Sequence, residues 1–174
     1  MKEKDLNITF FAYGTNISQA EMKSHSESAV FIGYGTLENF ELKFRGFPNH
    51  AIATIQKKKG STLPIAIYDL NPTDRFTLDN FEKFPYAYKK QKVKATLNGK
   101  TITGYVYFLK IKLDPQIPSD EYIKALRLAY FEAGFDDKII DDAILECGGK
   151  VNEEELYWCQ NITYQTIPTA MLIW

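Results

Sequence analysis

The chain has 174 residues, 45% of them hydrophobic and 25% charged, with a formal net charge of −1. That length accommodates one domain with a sizeable core, and the near-neutral balance argues against a nucleic-acid surface. No stretch approaches the ~20 apolar residues of a membrane span, Met1 to Asp5 is charged and followed by only a short apolar run, unlike a signal peptide, and Cys147 and Cys159 do not make a disulfide framework, so a cytoplasmic enzyme or binding protein is expected.

In chain order, Ile8, Phe10 and Phe11 read as a buried strand, followed by a tight turn at Gly14. Ser18 with Glu21 three residues on is a capping-box signature, and the short helix it starts is expected to end near His25. Ala29 to Tyr34 is a candidate strand closed by Gly33 and Gly35. Phe40, Leu42 and Phe44 alternate with Glu41, Lys43 and Arg45, the pattern of a half-buried strand. Gly46-Phe47-Pro48-Asn49 predicts a turn, Ala51 to Ile55 a strand, Lys57-Lys58-Lys59-Gly60 a solvated hairpin turn, and Leu63 to Leu70 another strand. Asn71-Pro72-Thr73-Asp74 signals a helix start. That helix carries Phe76, Leu78 and Phe81, ends near Glu82 and is broken by Phe84-Pro85.

Asn98-Gly99, the preferred pair for a two-residue turn, predicts a hairpin of Tyr88–Leu97 and Lys100–Leu109. Pro115 and Pro118 mark a linker. Ser119 caps a helix with Ile123, Leu126, Tyr130 and Ala133 inward and Gly134 as its stop. A second helix turns Ile140, Ala143, Ile144 and Cys147 inward and stops at Gly148-Gly149. Residues 1–150 are expected to form one domain. Residues 151–174 form an extension whose apolar end, Ala170 to Trp174, is expected to pack on that domain or on a partner chain. The architecture predicted is α+β, short strands closed or strongly curved with helices outside.

Few residues suggest chemistry. The junction Phe11 to Glu21 places a glycine turn and a helix start behind a buried strand, where unpaired N–H groups and the helix dipole favour an anion or a developing oxyanion; many such junctions bind nothing. His25, His50 and the cysteines have no metal-ligand spacing. Cys147 falls on an apolar helical stripe, as a packed thiol does, and the Thr15 hydroxyl has no evident base beside it. Glu82 ends a short helix among Phe81, Phe84, Tyr86 and Tyr88. It is either an exposed helix-end residue or a carboxyl whose pKa the dipole and aromatic setting raise toward neutrality, as acid–base catalysis requires.

Taken together, these segments resemble the γ-glutamylcyclotransferase superfamily. Tyr13-Gly14-Thr15-Asn16 resembles its Tyr-Gly-Ser-Asn loop, Ile52-Ala53-Thr54-Ile55 its Ile-Ala-Thr-Ile strand, and Leu78-Asp79-Asn80-Phe81-Glu82 its Leu-Asp-x-x-Glu segment. The resemblance covers about Ile8 to Asp136. It implies a small mixed β-barrel with peripheral helices and a pocket at one end. It also implies release of 5-oxoproline from a small γ-glutamyl substrate, with Glu82 as general acid–base and no metal or cofactor. By the same resemblance, the loop of Tyr13, Gly14, Thr15, Asn16 and Ile17 holds the substrate, largely through backbone N–H groups, while Tyr88 and Tyr107 hydrogen-bond it. Members of the superfamily act on γ-glutamyl amino acids, γ-glutamyl amines and a γ-glutamyl-protected aminoglycoside intermediate. The sequence departs from the pattern at Thr15 in place of Ser, at Lys83 where Gly is common, and at His50-Ala51 in place of Gly-Gly, which is expected to put a larger group near the pocket mouth. A non-catalytic module binding a small acidic or γ-glutamyl ligand is the alternative, and either would be a monomer or a homodimer.

Overall fold

The computed structural model describes residues 7–110 and 112–151. Five strands close into a barrel in the order β1-β3-β2-β4-β5. They are β1 (Ile8–Ala12), β2 (Val30–Arg45), β3 (Ile52–Leu70), β4 (Tyr88–Leu97) and β5 (Lys100–Leu109). Two hairpins, β2–β3 and β4–β5, supply most of the pairing. β1 runs antiparallel to β3 from Ile8↔Leu70 to Ala12↔Ala66. Two narrow seams complete the circle, one antiparallel at Thr36↔Thr96 and one parallel at Phe10↔Tyr105. Among the described residues four helices flank the barrel: α1 (Gln19–His25), α2 (Pro72–Phe81), α3 (Asp120–Ala133) and α4 (Lys138–Glu146).

The core follows from strand alternation. Phe11, Leu37, Phe44, Leu63, Ile65, Ile67, Leu70 and Val106 are fully buried, each contributing roughly 1.5–3 kcal/mol from transfer out of water. At the seams glycine is required by space. A Cβ on Gly35 would lie 2.4 Å from the Thr96 carbonyl oxygen. One on Gly104 would lie 2.6 Å from the Phe11 ring and 2.8 Å from the Thr9 carbonyl oxygen.

Three expectations are corrected. The expected strands Ala29–Tyr34 and Phe40–Phe44 merge into one, β2, which begins at Val30 and continues through irregularities at Ile32 and Asn39. Lys57 to Gly60 is not a hairpin turn. Pairing passes from Glu38↔Thr62 to Phe40↔Lys57, so β3 bulges by four residues opposite Asn39 and then resumes. Gly60 takes φ +85°, and its N–H donates to Asn39 Oδ1 at 2.9 Å, which gives the bulge its hydrogen bond. The reversal between β2 and β3 is made at Gly46-Phe47-Pro48-Asn49. Finally, Ser18 occupies the N-cap of α1 but makes no side-chain capping bond, and Glu21 turns inward instead of reaching back.

The other helix signals are realised. Asn71 Oδ1 accepts from the Asp74 N–H at 2.8 Å, and Ser119 Oγ from the Tyr122 N–H at 3.2 Å. α3 ends in a left-handed Gly134, with the Phe135 N–H donating back to the Tyr130 carbonyl. Arg127, 2% exposed, ties α3 to Asp137 and Asp141 at the start of α4. Arg45 binds both oxygens of Glu146, at 2.8 and 2.9 Å, fastening the end of α4 to β2. No helix among the described residues is long and apolar enough to cross a membrane. The expected packing of the extension, with Cys159 and Ala170–Trp174, lies outside the described residues.

Candidate active site

The strand β1 delivers the chain to a 3₁₀ turn, Thr15–Ile17, at one end of the barrel. The Ile17 N–H closes that turn on the Gly14 carbonyl at 3.0 Å. The N–H groups of Gly14, Thr15 and Asn16 have no hydrogen-bond partner among the described residues, as the first amides of a helical turn are left by geometry.

Glu82 approaches from α2. That helix ends in a Schellman arrangement: the Phe84 N–H donates to the Asp79 carbonyl at 2.8 Å and the Lys83 N–H to the Asn80 carbonyl at 3.1 Å. Lys83 occupies the left-handed position at φ +50°, where glycine is usual, so the departure from the family pattern is absorbed as local backbone strain. The turn leaves Glu82 facing the 3₁₀ turn, where Asn16 Nδ2 donates to its Oε1 at 3.4 Å.

The two meet in a cavity of about 270 Å³. Tyr13, Gly14, Thr15, Asn16, Glu82, Tyr88 and Tyr107 all line it. Ile17 does not; it is fully buried behind the turn, with its N–H already bonded. His50 is exposed on the β2–β3 loop and is not among the lining residues, so the expected bulk at the mouth is absent; Ile52 and Ala53 line that part.

Burial raises the Glu82 carboxyl from its ordinary 4.5 to about 7. The phenols are hydrogen-bonded inside the barrel. Tyr13 Oη donates to the Tyr107 carbonyl at 2.7 Å and Tyr88 Oη to the Ala53 carbonyl at 3.0 Å. Burial first pushes both phenols up, followed by the neighbouring Glu82 for Tyr13 and by Tyr13 and then Glu82 for Tyr88, so they hold protons throughout the physiological range. Tyr107 Oη donates to Asp79, which Lys90 Nζ also meets at 2.7 Å. Asp79 therefore fixes the outer edge of the site.

Three lining or supporting residues escaped the sequence reading. Tyr122, on the first turn of α3, accepts from the Ala53 N–H at 3.0 Å and lines the cavity. Glu21 lines it as well, having been read as half of a capping box. His25 had no signal beyond its place at a helix end, yet its Nε2 lies 2.8 Å from Asn16 Oδ1 and its ring stacks on Phe81 at 4.1 Å. Because Asn16 turns Nδ2 to Glu82, its Oδ1 faces His25, and that bond requires the proton on Nε2. Burial lowers the His25 pKa to about 4, which keeps the ring neutral and that donor in place at pH 7.

Cys147 lies away from all of this. It caps the end of α4, where its Sγ donates to the Phe44 carbonyl at 3.4 Å and burial raises the thiol pKa. Cys147→Ser is expected to leave the rate of any reaction in the cavity within about twofold of wild type while shifting stability by about 1 kcal/mol. Kinetics beside a thermal melt measure both, and a well-folded variant without turnover would restore a thiol mechanism.

Known proteins resemble this chain in sequence and in fold. The family described as "Gamma-glutamyl cyclotransferase, AIG2-like" matches residues 10–124. A mouse protein named gamma-glutamylcyclotransferase is 28% identical over 159 residues, covering 83% of this chain and 84% of its own. A solved structure titled gamma-glutamyl cyclotransferase superposes with a TM-score of 0.72 at 24% identity, covering 90% of this chain and 99% of its own. The crystal structure of an uncharacterised human protein gives 0.70 at 23%, with the same coverage. Both superpositions extend the likeness of fold well beyond the matched segment. The chain belongs to the gamma-glutamyl cyclotransferase, AIG2-like family.

Proposed function

We propose that this protein is a γ-glutamyl cyclotransferase that releases 5-oxoproline from a small γ-glutamyl amide. The observation that carries the reading is Glu82: a carboxyl raised to about 7 lines one cavity with Gly14, Thr15 and Asn16, whose N–H groups have no hydrogen-bond partner among the described residues. The family and the mouse relative support the same class of reaction.

In this reading the substrate's γ-glutamyl chain folds back so that its α-amine attacks its own γ-carbonyl carbon. A C–N bond forms, the carbonyl oxygen becomes an oxyanion, and the proton of the attacking nitrogen passes to the Glu82 carboxylate. Collapse breaks the original amide C–N bond, and Glu82 returns that proton to the departing nitrogen. The lactam and a free amine leave, and Glu82 is again a carboxylate. Nucleophile and electrophile belong to one molecule, so the protein's main task is to hold them in the attacking geometry. One residue performs both transfers, for which a pKa near the working pH is best. The N–H groups of Gly14, Thr15 and Asn16 hold the α-carboxylate or the oxyanion, while Tyr88 and Tyr107 shape the walls.

The test is to assay a panel of γ-glutamyl amides for 5-oxoproline. Release of 5-oxoproline is expected. Its absence, with the amides still binding, would favour the non-catalytic module.

His25 sets the orientation of the Asn16 amide and so of the donor facing Glu82. His25→Leu is expected to lower kcat/KM by about tenfold, the value of one hydrogen bond. His25→Gln, which keeps an N–H donor, is expected to recover part of the loss. Equal rates for all three proteins would remove His25 from the site.

A further inference from the structure

Glu21 stands in the third position of α1, where a carboxylate is normally solvated and favoured by the helix dipole. Here it is 8% exposed and forms part of the cavity wall with Tyr122 and Ala125. Its carboxyl group makes no hydrogen bond or ion pair among the described residues, and its Oε2 is fully buried without a partner. Burying a carboxylate in this way is costly unless a cation or donor meets it, and unsatisfied buried groups of this kind are rare in folded proteins. Burial alone raises its pKa.

The rest of the lining narrows what could meet it. The unpartnered N–H groups of Gly14, Thr15 and Asn16 take the anionic end of a γ-glutamyl substrate. Glu82 takes the reacting nitrogens. The hydroxyls of Tyr13, Tyr88 and Tyr107 are engaged with the Tyr107 carbonyl, the Ala53 carbonyl and Asp79. Among the lining residues the one cationic side chain is that of Lys83, which is exposed. The γ-glutamyl group thus has a counterpart for each of its own polar ends without Glu21, which leaves the departing amine.

We infer that Glu21 is a specificity residue that binds a positive charge on the leaving group, so that the preferred substrate is the γ-glutamyl conjugate of a diamine or of another amine bearing a second cationic group. This rests on the cyclotransferase reading above. The amide bond and the proton transfers are those already described; Glu21 adds an ion pair to the part of the substrate that does not react.

Two probes of equal length separate charge from size: mono-γ-glutamyl-1,4-diaminobutane, and γ-glutamyl-n-pentylamine, in which a methyl replaces the terminal ammonium. In the wild type kcat/KM is expected to favour the diamine conjugate by about 10- to 100-fold, the range of a charge-assisted hydrogen bond. In Glu21→Gln that ratio is expected to fall to about 1. A wild-type ratio near 1, a ratio unchanged in Glu21→Gln, or a preference for γ-glutamylalanine over the diamine conjugate would overturn the inference, whereas the cyclotransferase reading would stand. If neither these probes nor γ-glutamylalanine yields 5-oxoproline, that reading fails, and titration calorimetry with the two uncleaved conjugates decides the role of Glu21 separately. Tighter binding of mono-γ-glutamyl-1,4-diaminobutane than of γ-glutamyl-n-pentylamine, lost in Glu21→Gln, supports it; equal binding overturns it. The wild-type ratio needs no variant, so the test holds even if the substitution unfolds the chain.

Discussion

Glu82→Gln is expected to lower turnover of a good γ-glutamyl amide by about 10²–10⁴, the usual contribution of a positioned acid–base group. The amide keeps the size of the side chain and can still accept from Asn16 Nδ2, which lies 3.4 Å from Oε1, so KM should change little. The pH profile discriminates further. The base form of Glu82 is the active one, so wild-type kcat/KM should fall tenfold per unit below about pH 7, where burial has placed its pKa. The glutamine variant should lack that limb. Stability carries the opposite sign. With a folded pKa above the unfolded value, the native state binds more protons between about 4.5 and 7, so Glu82 makes the fold less stable as pH rises through that window. Glu82→Gln should remove that slope. Asp79→Asn is the control: Asp79 braces Tyr107 and Lys90, so its loss should slow turnover less and leave the limb near 7. A folded Glu82→Gln with near wild-type turnover would end the assignment.

Gly35→Ala is expected to lower stability by about 3 kcal/mol, the upper part of the range for overpacking, and Tm by about 6–12 °C for a chain of this size. The added methyl would meet the Thr96 carbonyl oxygen at 2.4 Å and Ile67 Cδ1 at 2.9 Å. The carbonyl belongs to the backbone of β4, so the clash is relieved only by parting β2 from β4. Gly104→Ala meets the buried Phe11 ring and the Thr9 carbonyl oxygen at the other seam and should act alike. Gly99→Ala is a useful reference: nothing lies within 4 Å of its Cβ position, and its cost comes from the positive φ of 75° alone. Thermal and urea melts measure all three, and an unchanged Tm in Gly35→Ala would show that the seam yields.

Local signals served wherever structure is decided locally. Asn98-Gly99 turns the β4–β5 hairpin, a helix starts after Asn71, and Ser119 caps its helix, as read. The misreadings share one cause. Lys57 to Gly60 has turn composition, yet the partner strand, through Asn39, supplies the bond that keeps β3 running. Ser18 and Glu21 have capping-box spacing, but the cavity takes Glu21. Of the candidate site, the Gly14 turn and Glu82 were legible because each is a motif within a few residues. The His25–Asn16–Glu82 chain and the Tyr122–Ala53 contact were not, since they join segments that no periodicity relates.

The narrow seams also determine when the cavity exists. Its walls are joined across long stretches of chain: Tyr13 to Tyr107 over 94 residues, Asn16 to Glu82 over 66, and Tyr88 to Ala53 over 35. Each hairpin can form from near neighbours, but joining them carries the entropy of large loops. A chain with both hairpins formed and the circle still open would hold most of its regular structure and no binding site. Catalytic competence is therefore a property of the closed ring as a whole, and enzyme activity is a more exacting gauge of its integrity than strand content.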